Sequence, residues 1–173
     1  MNRQVGWIGR RCHRLLRAAV AWALAGAAAL LGGCAATYQA PQGAATATVV
    51  VKRGESPPTL SHTLHSRIYS DEACNQGLGT LGSVGLLSPD AKSTPVAAGT
   101  RVYVRTFSTG NHFGSSTHRR CVNLFSFVPQ AGATYELTQD FNDAGCRLHG
   151  ADVSRTTPPP MFQSHRPLGA CAP

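Results

Sequence analysis

Thr134 to Phe141 reads TYELTQDF. Tyr135, Leu137 and Phe141 fall on one side of an extended chain, and Thr134, Glu136, Thr138 and Asp140 on the other. That period of two is the mark of a strand with one buried face. Just upstream, Cys121 to Val128 (CVNLFSFV) is almost continuously apolar, as a central strand covered on both faces would be. Arg101 to Phe107 (RVYVRTF) alternates again, with Val102 and Val104 opposite Tyr103 and Phe107. Thr48 to Lys52, Ser66 to Tyr69 and Cys146 to Val153 are shorter extended candidates. Turn residues separate them: Pro95 to Gly99, Gly110-Asn111, Pro129 to Gly132 and Asn142 to Gly145. Beyond residue 34 no stretch keeps a 3.6-residue period over three turns, and there is no internal repeat.

Short strands joined by polar turns favour a sandwich or small barrel. The expectation is an all-β chain with a single immunoglobulin-like or transthyretin-like β-sandwich over residues 48–155. Residues 34–47, small and uncharged, are expected to form a flexible tether. Residues 156–173, with Pro158-Pro159-Pro160, Pro167 and Pro173, are expected to form an extended or loosely attached tail. Ala98 to Val104, then Cys121, Phe127-Val128-Pro129 and Ala131 to Leu137, resemble a pattern of small uncharacterised bacterial outer-membrane lipoproteins. The resemblance covers about residues 95–153 and implies a single β-sandwich domain. It carries no catalytic residues.

The N-terminus fits that resemblance independently. The chain has 173 residues and a formal charge of +8. Arg3, Arg10, Arg11, Arg14 and Arg17 account for five of those charges, and no acid accompanies them. Ala18 to Leu31 is then an apolar run of 14 residues. A spanning helix needs about 20, whereas a signal-peptide core needs about 7–15. The run closes on Leu31-Gly32-Gly33-Cys34, which resembles a lipobox. Small side chains admit the peptidase beside the scissile bond, and the Cys34 sulfur takes the diacylglyceryl group. Two or three acyl chains such as palmitate anchor a protein nearly irreversibly. Residues 1–33 are therefore expected to be a cleaved signal peptide. Arg10-Arg11 is followed by Cys12-His13-Arg14, without the hydrophobic pair of a twin-arginine signal. Ala35, where an Asp would favour inner-membrane retention, implies by the same resemblance the outer membrane. Losing five arginines from +8 leaves +3, so no nucleic-acid partner is expected. The expected partners are a membrane, through the anchor, and an envelope protein or glycan. The expected cofactor is none beyond the lipid on Cys34.

Cys12 leaves with the leader and Cys34 takes lipid, so Cys74, Cys121, Cys146 and Cys171 remain for an oxidising compartment. Four cysteines allow three pairings. If 121–128, 134–141 and 146–153 run up, down and up, Cys121 and Cys146 lie at one end. Cys74 then pairs with Cys171. The thiols lack Cys-x-x-Cys spacing, which speaks against a metal centre.

Other chemical signals are thin. Gly77-Leu-Gly-Thr-Leu-Gly82 matches G-x-G-x-x-G, but nothing around it reads as a βαβ unit, so a Gly-rich strand or loop is expected. His62-x-x-His65, with His112 or His118, is the alternative reading, a small-ligand or metal site built from loop histidines. Phe107 to Arg120 (FSTGNHFGSSTHRR) is the candidate binding loop. There His112, Phe113, His118, Arg119 and Arg120 would meet an anionic glycan or lipid headgroup. G-x-S-x-G is absent, and Gly82-Ser83-Val84-Gly85 lacks the spacing. Asp71 and Glu72, if extended, face opposite sides. A hydrolase would need a Ser/His/acid cluster assembled by the fold, so no enzymatic activity is expected.

Overall fold

The computed structural model describes residues 36–56, 60–85, 88–112, 118–142, 145–153 and 162–172, with Leu60, His112 and His118 described by backbone alone. Nine strands follow in chain order: β1 Thr46–Arg53, β2 Leu60–Tyr69, β3 Gly77–Val84, β4 Ala91–Ala97, β5 Val102–His112, β6 His118–Phe127, β7 Thr134–Asn142, β8 Gly145–Asp152 and β9 Gln163–His165. They form a β-sandwich. One sheet has the order β4-β1-β7-β8 and the other β3-β2-β5-β6-β9. All pairs are antiparallel except β1 with β7. β3 lies against β4 along one side of the sandwich, and β6 lies against β8 towards the other.

The alternation in TYELTQDF is realised. Tyr135, Leu137 and Phe141 are buried, and so is Gln139, which the apolar pattern passed over. Val49 and Val51 beside them face Ile68, Val104, Phe125 and Phe127 of the second sheet. The Phe127 and Tyr135 rings meet edge to face across the interface at 5.0 Å. The buried Tyr135 hydroxyl accepts the Gln130 N–H at 3.0 Å, so its polar end is satisfied.

Several expectations need correction. Pro95 is not in a turn but in β4, opposite Thr48. β4 is an edge strand, the one place in a sheet where a missing N–H costs little. Of the Gly-rich strand or loop expected at G-x-G-x-x-G, the strand forms, as β3. Its register against β2 slips twice, skipping Leu81 and Leu78, and Gly82 and Gly79 at these bulges have φ of +136° and +143°. Gly79 also admits a neighbour: a Cβ there would stand 2.7 Å from the Tyr38 backbone.

That neighbour belongs to the segment expected to be a tether. Instead Thr37 bridges Thr80, the Tyr38 N–H donates to Thr80 O at 2.9 Å, and the Tyr38 ring is buried between β3 and β4. One aromatic residue in an otherwise featureless stretch suffices to dock it. Of the two forms expected for the tail, its described residues 162–172 take the extended, attached one. β9 pairs with β6, and Cys171 is fully buried at the far end.

The disulfides join Cys74 to Cys171 and Cys121 to Cys146, with Cα separations of 5.3 and 6.0 Å. Both fall in the range that a disulfide spans. β6 and β8 do begin at the same end. They belong to different sheets, however, so Cys121–Cys146 clamps the two layers together rather than linking strands of one meander.

Candidate functional site

The candidate binding loop is mostly strand. β5 continues to His112 and β6 starts at His118, which leaves five residues between them. Phe113 lies outside the described residues, as does the lipidation candidate Cys34. Arg119 and Arg120 are neighbours in a strand, so they serve opposite faces. Arg119 reaches Asn142 O of the facing sheet at 3.5 Å. Arg120, opposite Thr109, is exposed and lines a cleft of about 420 Å³ with Ser61, His62, Thr63, Thr109 and Asn111. The paired arginine fork expected from the sequence therefore does not form. A single guanidinium stands beside hydroxyls and an amide.

His62 and His65 are likewise separated by the strand they share. His65 is exposed, with Nδ1 2.7 Å from Ser83 Oγ and its ring 6.4 Å from that of Phe107. His62 is only 2% exposed, and its ring is tilted over Phe141 at 5.3 Å. Neither of its ring nitrogens has a partner. Burial, and then the Arg53 charge, pull its pKa below the ordinary 6.5, so the imidazole is held neutral. Among the described residues no three His, Cys, Asp or Glu side chains gather in a way that could hold a metal ion.

His62 belongs to a polar end of the interior. Gln139 Nε2 donates to Ser108 Oγ at 2.6 Å, and Asn123 Nδ2 donates to Gln139 Oε1 at 3.3 Å and to Cys146 Sγ at 3.0 Å. The buried hydroxyls of Ser66 and Thr106 lack partners, as His62 does. Unpaired buried polar groups are costly and call for an explanation by water or a ligand.

A second constellation was not visible in the sequence. Ser126 Oγ lies 2.8 Å from His165 Nε2, and His165 Nδ1 lies 3.0 Å from Glu72 Oε1. These are the contacts of a Ser-His-acid relay. The three residues come from β6, β9 and the turn after β2. The available signal was Ser126, a polar residue within an apolar strand, together with a histidine in a tail expected to be extended or loosely attached. Arg101 Nη1 also donates to Ser126 Oγ at 2.7 Å and to Gln163 Oε1 at 3.2 Å. Ser126 has 0% exposure, and β6 is paired on both edges at this level. The ladder thus occupies the backbone amides that an oxyanion would need. Asp71 takes a separate role, accepting the N–H groups of Asn75 at 3.1 Å and Gln76 at 2.7 Å.

No protein-family model, curated protein or solved structure matches this chain.

Proposed function

We propose that this chain is an exported, lipid-anchored domain of the cell envelope, held at the outer membrane by Cys34 and acting as a non-enzymatic binding or accessory module. The observation that carries the reading is the pairing of Cys74 with Cys171 and of Cys121 with Cys146. Those four cysteines are the ones left once Cys12 is removed and Cys34 is acylated. A reducing compartment would not keep both bonds. The Arg120 cleft is the place for a ligand with an anionic group and hydroxyls, such as an envelope glycan. One arginine and four neutral donors, Ser61, Thr63, Thr109 and Asn111, suit it.

The test is the intact mass of membrane-extracted protein, alkylated without reduction. The expected mass begins at Cys34, carries acyl chains and contains no alkylated thiol. A Cys34→Ala variant is expected to keep its leader and lose the acyl mass. An unprocessed wild-type mass with alkylated thiols would overturn the reading.

One observation favours a second reading, acyl transfer by Ser126: the chain of contacts from Ser126 through His165 to Glu72. The burial of Ser126 weighs against it. A fluorophosphonate probe separates the two readings. The expected result is no label on wild type, with Ser126→Ala indistinguishable from it. Labelling that vanishes in Ser126→Ala would establish the hydrolase instead.

A further inference from the structure

The chain is fixed to the domain almost immediately after the lipidation position. Thr80 N–H donates to Ala36 O at 2.9 Å, Tyr38 N–H donates to Thr80 O at 2.9 Å, and Ala97 N–H donates to the Tyr38 hydroxyl at 3.1 Å. Tyr38 itself is 7% exposed. The backbone is thus held from Ala36 onward, between the outer edges of β3 and β4. Two residues of extended chain, from Cys34 to Ala36, span at most about 7 Å. The headgroup layer on one side of a bilayer is itself about 5–7 Å thick. An acyl chain on Cys34 therefore leaves almost no slack between the lipid and this side of the sandwich.

We propose that the anchored domain lies flush on the bilayer with its β3/β4 side against the headgroups. The inference rests on the lipid-anchor reading above and adds an orientation to it. The composition of that side agrees. β3 (GLGTLGSV) carries no charge, and the one charge of β4 (AKSTPVA) is Lys92, which is exposed. No carboxylate belongs to either strand, and Asp90, which directly precedes β4, is paired with Arg53 at 3.4 Å. Leu78 of β3, 44% exposed, is an apolar side chain placed to enter the interface. β8 lies three strand spacings from β4 in its own sheet, about 14 Å away, on the side opposite β3 and β4. Val153, 54% exposed, follows β8 directly and marks that far side. Held this way, the domain presents its β6/β8/β9 side to whatever lies above the membrane.

The sequence supplies a clean probe. Both tryptophans, Trp7 and Trp22, precede Cys34, so the processed chain has none. Leu78→Trp and Val153→Trp each introduce a single fluorophore at a site that is already exposed. Each variant is purified as the acylated protein, checked by mass for lipid and for both disulfides, and inserted into phosphatidylethanolamine/phosphatidylglycerol vesicles with brominated acyl chains. Tryptophan at 78 is expected to be quenched several-fold more than tryptophan at 153, with a blue-shifted emission. Equal quenching at the two positions in acylated, disulfide-intact protein would overturn the orientation while leaving the anchor in place. A mass without acyl chains would remove the anchor itself, and the orientation with it.

Discussion

Replacing Cys74 and Cys171 together by alanine is expected to remove about 4.7 kcal/mol of unfolding free energy. The bond joins residues 97 apart, and the chain-entropy relation gives roughly that value for a loop of this length. The same relation gives about 3.5 kcal/mol for Cys121–Cys146, which joins residues 25 apart. Domains of this size have about 5–15 kcal/mol in total, so losing the longer bond leaves a marginal fold. The longer bond is also a packing element. Cys74 and Cys171 are buried with Tyr69 and Leu124, and Arg105 donates to the Cys171 and Ala172 carbonyls at 3.0 and 3.1 Å. Urea unfolding of the two double variants, followed by circular dichroism, checks the order. A larger loss from Cys121→Ala/Cys146→Ala would mean that clamping the sheets matters more than closing the long loop.

The sequence made the sandwich legible where one face of a strand is apolar and the other polar. TYELTQDF is such a strand, and its neighbours in CVNLFSFV and RVYVRTF follow. Strands failed to register where other constraints set the composition. β3 needs glycines for its bulges and for the close approach of Tyr38, so its sequence leaves strand and loop undecided and imitates a nucleotide motif. β4 can keep Pro95 because it is an edge. β9 has only three residues, too few for a period to emerge. The site was less legible than the fold. Strand alternation sends His62 and His65 to opposite faces, and Arg119 and Arg120 likewise, once these residues are known to be extended. Reading them as loop residues hid that consequence. Ser126, His165 and Glu72 are brought together only by the long-range pairing of β9 with β6, which no local pattern encodes.

Phe141→Ala is expected to cost about 3–5 kcal/mol at pH 8 and also to weaken the dependence of stability on pH. The first effect follows from burial. Phe141 is 1% exposed at the polar end of the interior, where little apolar material could collapse into the gap. The space around it is closely matched, since a Cβ on Gly110 would come 2.5 Å from its ring. The second effect runs through His62, which that ring covers. In the folded protein the imidazole is held neutral below 6.5, while in the unfolded chain it takes a proton near 6.5. Above that pH both states are neutral and His62 contributes no slope. As pH falls below about 6.5 the unfolded state binds a proton that the folded state refuses, so stability declines until the lowered folded pKa is reached. Removing the Phe141 ring lets water reach the imidazole, brings its folded pKa back towards 6.5 and flattens the decline. Wild type, Phe141→Ala and His62→Leu, unfolded in urea between pH 5.5 and 8, separate the contributions. The slope that wild type has in excess of His62→Leu belongs to His62. That excess should shrink in Phe141→Ala even as its overall stability drops. An unchanged slope in His62→Leu would mean that the buried imidazole finds a proton acceptor on folding, and that its two unpaired nitrogens are not unpaired in solution.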